Sequence, residues 1–325
     1  MCLGQNEVLI LIYRPLGRTG LMVSQICMGV LTIGPLQNNL TLQAGADVLV
    51  YALRSGINFF DTAKIYKTYP YIKKAMEISG IRPVICSKSY DYTYEGMKQS
   101  LEEALDGLGI SNIDIFMLHE QESMLTLKGH RPALEYLLEA KEKGLVKSIG
   151  ISTHSVQGVL AGAQSPEIEV IHPLINIRGL GIMDGSREQM LAAIRYAHQK
   201  GKGIYAMKVI GGGNLNREAY TAFNYIARNT KIDSMAIGMK SRAEIDLNIA
   251  WAEGRREPEL EELVANQDKR LLIESWCEGC GNCIEHCRYG ALQINSEGVL
   301  EVIKDACLLC GYCASYCPNF CIKIV

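Results

Sequence analysis

The sequence has no long hydrophobic run and no block of charge of one sign. Its 325 residues include 33 lysines and arginines against 35 aspartates and glutamates, a formal net charge of −2. Without a basic patch, we expect neither a nucleic-acid partner nor an anionic membrane surface. The apolar run VLILIY (8–13) is too short for a signal sequence or a membrane span, and we predict a β-strand there. Cys2 follows no signal, which disfavours a lipid anchor and favours a cytoplasmic protein.

A phosphate-binding turn is also missing. No Gly-x-Gly-x-x-Gly follows the first predicted strand, which argues against the alternative of a doubly wound open sheet. Eight apolar runs instead alternate with amphipathic segments, and most are continuously apolar, as in parallel strands covered on both faces. These runs are 25–31, 57–61, 83–88, 113–119, 146–152, 169–176, 203–208 and 234–239. Helical patterns fall at 42–56, 94–109, 130–144, 186–201 and 241–254. The series predicts an α/β protein with a (β/α)₈ TIM barrel.

The barrel pattern ends well before the chain does. We predict a barrel domain over 1–254, a charged helical linker over 255–270 and a small α+β ferredoxin-like domain over 271–325. Eight of the twelve cysteines lie in two tight groups in the last segment. Cys-x-x-Cys-x-x-Cys spacing without a secretion signal favours metal ligation over disulfides.

The two cysteine groups form an internal repeat. CEGCGNCIEHCRYGALQI (277–294) aligns without gaps on CLLCGYCASYCPNFCIKI (307–324). The spacing is that of bacterial ferredoxins, in which the fourth cysteine of each run binds the other cluster. It predicts two [4Fe–4S] clusters, one held by Cys277, Cys280, Cys283 and Cys317, the other by Cys307, Cys310, Cys313 and Cys287. Structural zinc is the alternative, but it leaves the third cysteine of each run unexplained. Cys321 aligns with Ala291 and is interpreted as a small buried residue.

Polar residues interrupt the apolar pattern at three neighbouring strand ends. Asp61 ends the second strand, with Tyr66 five residues later; Lys88 ends the third and His119 the fourth. Barrel enzymes place their chemistry at this edge. A lysine beside a tyrosine lowers its pKa, an aspartate can pair with the lysine, and a histidine can orient a carbonyl oxygen. Each residue alone also suits a structural role, and Tyr69 and Tyr71 compete with Tyr66.

The run INFFDTAKIY (57–66), followed in order by Lys88 and His119, resembles the aldo/keto reductase superfamily. YRPLGRTGLMVSQICMG (13–29) and VKSIGIST (146–153) are similar to that family's opening and fifth strand. The resemblance implies a tetrad with Tyr66 as general acid/base, supported by Lys88 and Asp61, and His119 orienting the substrate carbonyl. It also implies a nicotinamide cofactor lying across the barrel mouth and a small carbonyl or alcohol as substrate.

The cofactor contacts implied by the resemblance run along the later strand ends. They are Ser152, Thr153, Asn176, Met207, Lys208, Gly238, Lys240, Ser241, Glu244 and Asn248. The chain departs from the family with Thr153 in place of asparagine, His172 in place of glutamine and Met207 in place of an aromatic ring. Lys208 and the glycine loop 211–214 are expected near the pyrophosphate. Lys240, with Arg242, suits a 2′-phosphate, so NADP(H) is favoured over NAD.

A nicotinamide delivers two electrons, whereas a [4Fe–4S] cluster transfers one. A flavin between the two would resolve this mismatch, although no flavin motif is visible in the sequence. Three functions stay open at this stage. The first is an NADP(H)-dependent carbonyl/alcohol oxidoreductase whose ferredoxin domain exchanges electrons with a redox partner protein or senses redox state. The second is an electron-transfer protein that uses the barrel as a docking scaffold. In the third, the clusters only stabilise a carbonyl reductase.

Overall fold

The computed structural model describes residues 11–325, and its centre is a closed parallel barrel of eight strands. An antiparallel hairpin, β1 (Tyr13–Pro15) and β2 (Met22–Ser24), precedes it. The barrel strands are β3 (Ile26–Gly29), β4 (Phe59–Asp61), β5 (Val84–Ser89), β6 (Ile113–Leu118), β7 (Val146–Thr153), β8 (Val170–Pro173), β9 (Gly203–Ala206) and β10 (Ser234–Gly238). β10 pairs with β3 and closes the ring. The (β/α)₈ prediction is confirmed, and each barrel strand lies within or beside a predicted run.

Helices surround the barrel and bury one face against the strands. They are α1 (Leu42–Arg54), α2 (Tyr69–Ser79), α3 (Tyr94–Leu108), α4 (Met124–Gly129), α5 (Arg131–Glu142), α6 (Val156–Gln164), α7 (Arg187–Gln199), α8 (Ala219–Ala227), α9 (Arg242–Ala252) and α10 (Pro258–Ala265). All five predicted helices are present. Their ends follow local chemistry: the Thr93 side chain caps the start of α3, and Gly109, at φ 67°, ends it. α10 lies in the charged stretch predicted to be a linker helix.

The barrel interior is filled by side chains that point inward from alternate strand positions. Phe59, Ile115, Met117 and Tyr205 form part of this inner cluster, together with Leu16 and Val23 from the hairpin segment. The hairpin therefore closes the end of the barrel opposite the strand ends that carry the predicted site. The strand predicted at 8–13 is wrong in the described part: residues 11 and 12 are not in a strand, β1 begins at Tyr13, and residues 8–10, like Cys2, lie outside the described residues.

The C-terminal segment folds as a small unit of paired strands and short helices. Its elements are β11 (Leu271–Ile273), α11 (Asn282–Glu285), β12 (Leu292–Ile294), β13 (Leu300–Val302) and β14 (Ile322–Ile324), with 3₁₀ turns at Lys304–Ala306 and Tyr312–Tyr316. β11 pairs with β14 and β12 with β13, both antiparallel. Five of the eight predicted ligand cysteines join its apolar core as buried or part-buried members. The division of the chain at residues 254 and 270 stays a prediction.

β14 joins this cluster module to the barrel. The side chain of Asn214 donates to the carbonyl oxygen of Ile322 at 2.8 Å. At Gly213, with φ 82°, an added Cβ would collide with the carbonyl oxygen of Ile324. At Gly212 it would lie 2.7 Å from the Cδ of Lys323. The glycine loop is therefore needed for close approach of the last strand. No helix among residues 11–325 is long and apolar enough to cross a membrane.

Candidate active site

A buried ion pair lies at the end of the barrel where the strands finish. Asp61 and Lys88 are 5% and 1% exposed, and Lys88 Nζ donates to Asp61 Oδ1 at 2.7 Å and to the carbonyl oxygen of Thr62 at 2.8 Å. β4 and β5 are neighbours, which brings these two strand-end side chains together. Burial acts to lower the pKa of Lys88, but Asp61 and the neighbouring Tyr66 raise it above its usual value. The ammonium therefore stays charged in a nearly dry site.

Tyr66 lies beside this pair, at the end of the 3₁₀ turn Lys64–Tyr66. Lys88 Nζ is 5.2 Å from the centre of its ring. The two competing tyrosines have other partners: the hydroxyl of Tyr69 is 2.7 Å from Ser87 Oγ, and that of Tyr71 donates to the carbonyl oxygen of Leu40 at 2.8 Å. Of the three tyrosines, Tyr66 is the one whose hydroxyl makes no hydrogen bond to the described residues, and it is free to meet a substrate.

His119 follows β6 and faces the same mouth. It is 6% exposed, stacks on Tyr90 with ring centres 4.2 Å apart and meets Tyr66 edge to face at 6.0 Å. Its Nδ1 is buried and has no hydrogen-bond partner within residues 11–325. Burial, reinforced by Lys88, holds the pKa of His119 well below its usual value. The ring is neutral at physiological pH and can donate a single N–H to an oxygen atom.

The expected lowering of the Tyr66 pKa is wrong for the net effect. Burial raises the pKa of Tyr66 to about 12, and the opposing charge of Lys88 only reduces that rise. The unfavourable free energy of burying a phenolate away from water is larger than the favourable attraction between that phenolate and Lys88. The attraction is weakened because Lys88 is already paired with Asp61. Tyr66 therefore keeps its proton over the physiological range, as a proton donor to a carbonyl oxygen must.

Tyr205 and Cys86, which were not predicted as site residues, complete the buried network. The hydroxyl of Tyr205, on β9, donates to Asp61 Oδ1 at 2.8 Å, and Cys86 Sγ is 3.0 Å from the same hydroxyl. His172 stacks on Tyr205 with ring centres 3.8 Å apart, and its Nδ1 donates to the Tyr205 carbonyl oxygen at 2.6 Å. Asp61 thus receives hydrogen bonds from both Lys88 and Tyr205. The sequence signal was a hydroxyl-bearing ring at an inward position of an otherwise apolar strand.

The residues predicted for the nicotinamide end lie on neighbouring strand ends, but most use their polar atoms within the protein. Ser152 Oγ accepts from the backbone N–H of Glu120, and Thr153 Oγ1 accepts from that of Ser155. The Asn176 side chain organises the turn that follows β8, with hydrogen bonds to the backbone of Arg178 and Leu180. Met207 and Lys208 are part-exposed at the mouth, and Lys208 adopts the uncommon φ of 57°.

The linker covers the residues predicted for the adenosine end. Lys240 Nζ donates to the carbonyl oxygen of Asp268 at 2.7 Å, and Ser241 Oγ accepts from the side chain of Gln267 at 2.9 Å. Around them, Ser241 also caps α9, Glu244 accepts from the Lys240 N–H, Asn248 donates to the Glu244 carbonyl oxygen, and Gly238 ends β10. A nucleotide that uses Lys240 and Ser241 would therefore have to displace Gln267 and Asp268.

The cluster module adds its own side chains near the barrel mouth. Phe320 lies beside Gly181 and Leu174, in the loop region after β8. Lys323 is 3% exposed and lies against the glycine loop. Burial, and then the positive charge of Lys208, lower the pKa of Lys323 to about 6. Burial, followed by the same two lysines, also lowers the pKa of His154 to about 3. Residues of both parts of the chain thus share one electrostatic environment.

The predicted ligand cysteines influence one another, and their division into two sets stays a prediction. Burial raises the pKa of Cys283 to about 11, and the thiols of Cys317, Cys277 and Cys280 contribute in the same direction. Burial likewise raises the pKa of Cys313 to about 12, with further contributions, in decreasing order, from Cys310, from Cys283 of the other predicted set, and from Cys307 and Cys287. No three His, Cys, Asp or Glu side chains of the described residues are close enough to share a single metal ion. A cubane differs, because its four thiolates bind four separate iron atoms.

Comparison with known proteins shows the family to which the chain belongs. The model of the "Aldo/keto reductase family" matches residues 25–282, more than half of the chain, so the protein belongs to this family. L-galactose dehydrogenase of Arabidopsis thaliana is 22% identical over 322 residues, covering 83% of this chain and 95% of that protein. Among solved structures, an aldo-keto reductase from Bacillus halodurans in its holo form superposes with a TM-score of 0.65 at 18% identity. It covers 79% of this chain and 96% of that one. That likeness shows the fold.

A second match covers the cysteine region. The model described as "4Fe-4S dicluster domain" matches residues 270–318 and overlaps the end of the first match. A component of the ion-translocating oxidoreductase complex of Methanosarcina acetivorans is 42% identical over 58 residues, which is 18% of this chain and 22% of that protein. The chain is therefore an oxidoreductase of the aldo/keto reductase family that carries a C-terminal 4Fe–4S dicluster domain.

Proposed function

We propose that the protein interconverts a carbonyl and an alcohol on a small molecule at Tyr66, using NADP(H), and that its two clusters exchange electrons with a redox partner protein. The observation that carries the proposal is the unpartnered hydroxyl of Tyr66 beside the buried Lys88–Asp61 pair and the neutral His119. The cluster cysteines need a reducing compartment, so the proposal places the protein in the cytoplasm.

Each residue of the tetrad has a separate task in this proposal. A substrate carbonyl oxygen would accept hydrogen bonds from Tyr66 and His119. Tyr66 then gives its proton to that oxygen as negative charge develops. The Lys88 ammonium, 5.2 Å from the Tyr66 ring, stabilises the phenolate that remains. Asp61 accepts hydrogen bonds from both Lys88 and Tyr205, and these bonds keep the Lys88 ammonium in position beside Tyr66.

The proposed cofactor requires one rearrangement. A bound nicotinamide would supply hydride to the carbonyl carbon, and Ser152, Met207 and Lys208 are the residues that would hold its end of the molecule. At the other end, Lys240 would pair with a 2′-phosphate once Asp268 has moved, because its ammonium now donates to the Asp268 carbonyl oxygen. A preference for NADPH over NADH is therefore expected to depend on Lys240.

The clusters are proposed to be active in electron transfer and not only structural. Cysteines of both predicted sets belong to the apolar core of the module, and β14 of the module packs against the glycine loop of the barrel. A bound cubane would store one electron at a time. Contact with the barrel mouth also supports electron exchange with the barrel site, in addition to exchange with a partner protein.

The test compares Tyr66→Phe with Tyr71→Phe in holoprotein purified without oxygen. Tyr71→Phe is the matched control, because its hydroxyl meets the carbonyl oxygen of Leu40 away from the tetrad. We expect Tyr66→Phe to slow NADPH-dependent reduction of aldehydes and ketones by roughly 10²–10⁴-fold, the usual contribution of a general acid. Iron and sulfide content and NADPH affinity should be unchanged. Wild-type holoprotein that neither binds NADPH nor reduces any carbonyl of a broad panel would refute the proposal.

Cluster absorption separates the remaining alternatives. Bleaching on addition of NADPH shows that electrons pass from the nicotinamide to the clusters. If Tyr66→Phe leaves an electron-transfer assay with a partner protein unchanged, and no carbonyl is reduced, the barrel is a docking scaffold. If removal of residues 271–325 leaves a stable barrel with full turnover and substrate range, the clusters are structural.

A further inference from the structure

The internal repeat of the cluster module allows its two cysteine loops to be compared position by position. The first cysteine loop (277–283) aligns with the second cysteine loop (307–313), and Gly281 corresponds to Gly311. An added Cβ at Gly311 would collide with the backbone carbonyl oxygen of Asn214 in the barrel. At Gly281 it would meet no atom of the described part of the chain within 4 Å. The barrel therefore covers the second loop at a position where the first loop is open.

Side chains of the barrel also reach the second cysteine loop. The side-chain amide of Asn216 donates to the carbonyl oxygen of Leu309 at 3.4 Å, and Arg217 Nη2 donates to that of Leu308 at 3.5 Å. Both donors lie in the 3₁₀ turn that follows the glycine loop. Cys310, the middle cysteine of this loop, is only part-exposed. The barrel thus occupies one side of the second loop.

The first cysteine loop reaches solvent. Of the eight predicted ligand cysteines, all of which the structure describes, Cys280 is the one that is exposed. Gly279, with φ 63°, brings this loop close to the hairpin of β12 and β13, because its added Cβ would lie 2.6 Å from the carbonyl oxygen of Gly298 and 3.7 Å from Cδ1 of Ile294. The Ile294 side chain is 38% exposed. Since electron transfer weakens steeply with distance, an exposed ligand marks the shortest route between a cluster and a docked protein.

Acidic side chains flank the first cysteine loop. Glu278 lies within the loop, and Glu297 lies in the hairpin turn whose Gly298 carbonyl oxygen faces Gly279. Both glutamates are exposed, and none of the ion pairs with an N–O distance up to 4.0 Å within residues 11–325 includes either of them. Their charges are therefore available to a partner.

The charges around the second cysteine loop are of both signs. Arg217 contacts that loop from the barrel, and Lys304 and Asp305 precede it; all three are exposed. A protein with a basic rim would thus be attracted to the first loop more than to the second. An apolar centre with a charged rim is the usual composition of a docking surface, and Ile294 with the two glutamates supplies it beside the first loop.

We propose that the first cysteine loop is the docking surface for the redox partner, and that the partner is a one-electron redox protein with a basic rim around its own redox centre. One electron passes from the reduced cluster that includes Cys280 to the partner's oxidised centre. The cluster is then oxidised and the partner reduced, and no atom is transferred. The inference rests on the proposed function, because it uses the clusters and the partner proposed there, but it does not depend on carbonyl turnover.

The experiment uses the full-length holoprotein, with iron analysis showing two full clusters, reduced by dithionite that is then removed without oxygen. Stopped-flow absorption follows its oxidation by cytochrome c, a strongly basic one-electron protein that serves as the probe. Glu278→Gln combined with Glu297→Gln should lower the second-order rate constant roughly tenfold at low ionic strength, because electrostatic steering is weakened. The difference should disappear at ~1 M salt, where the screening length is about 3 Å.

The matched control combines Glu77→Gln with Glu102→Gln. It removes the same charge from exposed positions on α2 and α3, and it should be oxidised at the wild-type rate. Oxidation by a small neutral quinone should be equal in all three proteins, which shows that the clusters are intact. Carbodiimide cross-linking gives a readout that does not involve electron transfer. Mass spectrometry of wild-type holoprotein cross-linked to cytochrome c should find the joined carboxylates at Glu278 and Glu297.

Three results would overturn the inference. One is a Glu278→Gln/Glu297→Gln protein that cytochrome c oxidises at the wild-type rate at low ionic strength. Another is a set of cross-links confined to Asp305 or to the barrel. The last is a holoprotein dimer that this double variant fails to form, since the surface would then join two copies of the chain. If the double variant does not retain its clusters, the cross-links of the wild-type protein decide. A holoprotein that reduces no carbonyl but shows the expected rates contradicts the carbonyl proposal alone.

Discussion

Replacing Tyr205 by phenylalanine removes one hydroxyl from the centre of the barrel and leaves the ring in place. That hydroxyl donates to Asp61 Oδ1 at 2.8 Å in a buried site, and the same oxygen of Asp61 receives Lys88 Nζ at 2.7 Å. Phenylalanine keeps the contacts with Phe59 and His172 but offers no donor. The change therefore isolates a single hydrogen bond to a charged carboxylate.

The expected magnitude follows from the kind of bond that is lost. A hydrogen bond to a charged group contributes about 1.5–3 kcal/mol. For a chain of this size, about 2 °C of melting temperature corresponds to each kcal/mol, so Tyr205→Phe should lower the melting temperature of the barrel by about 3–6 °C. If half of the loss is felt in the transition state, the turnover number of carbonyl reduction falls by roughly three- to twelvefold, because each ~1.4 kcal/mol is a factor of ten.

The assay pairs thermal unfolding with steady-state kinetics at saturating carbonyl substrate. Tyr196→Phe on α7 is the control, since its hydroxyl has no hydrogen-bond partner among the described residues and should change neither value. The KM of the carbonyl should stay near wild type in both proteins, because Tyr205 lies beneath the site and positions Asp61. A Tyr205→Phe protein that melts and turns over like the Tyr196→Phe protein would show that this hydrogen bond contributes nothing.

Two further predictions concern pH and docking. Burial keeps the pKa of His119 well below its usual value and lowers that of His172 to about 4, so both rings are neutral at neutral pH. Tyr66, with its pKa raised to about 12, keeps its proton far above neutral pH. Carbonyl reduction should therefore show no titration limb from these groups around neutral pH, and a limb near the ordinary histidine pKa of ~6.5 that disappears in His119→Asn would contradict this. Gly213→Ala should speed hydrogen exchange in β11 and β14 but not in the barrel strands, because a Cβ there collides with Ile324. Gly129→Ala, with open space around its Cβ, is the control, and equal exchange in the two variants would show that the loop does not hold the module.

The barrel was predictable because its strands are continuously apolar and its helices end in clear capping signals. The order Asp61, Lys88, His119 was predictable for the same reason: parallel strands end at one edge, so strand-end side chains must converge. The residue pattern alone left Tyr66, Tyr69 and Tyr71 as candidates, and only the family resemblance selected Tyr66. The physical distinction depends on Ser87 and Leu40, which hydrogen-bond the hydroxyls of the other two tyrosines.

Contacts between residues that are distant in the sequence could not be predicted from the sequence. Tyr205 reaches Asp61 across 144 positions of the chain, and nothing in GIYAMK (203–208) indicates that partner. The covering of Lys240 by Asp268 arises from the path of the segment that follows α10, and the burial of Lys323 under the glycine loop arises from how β14 packs on the barrel. The pKa of Tyr66 was predicted to fall, but it rises. The upward effect of burial depends on three-dimensional packing, whereas the downward effect of a neighbouring lysine can be inferred from residue types.

The position of β14 couples the two parts of the chain. Ile322–Ile324 pair with β11, and the cysteine-rich segment lies between these two strands. The strand that lies against the glycine loop is therefore tied to the segment that carries the cluster cysteines. A change in the geometry of that segment would reach the barrel mouth through β14.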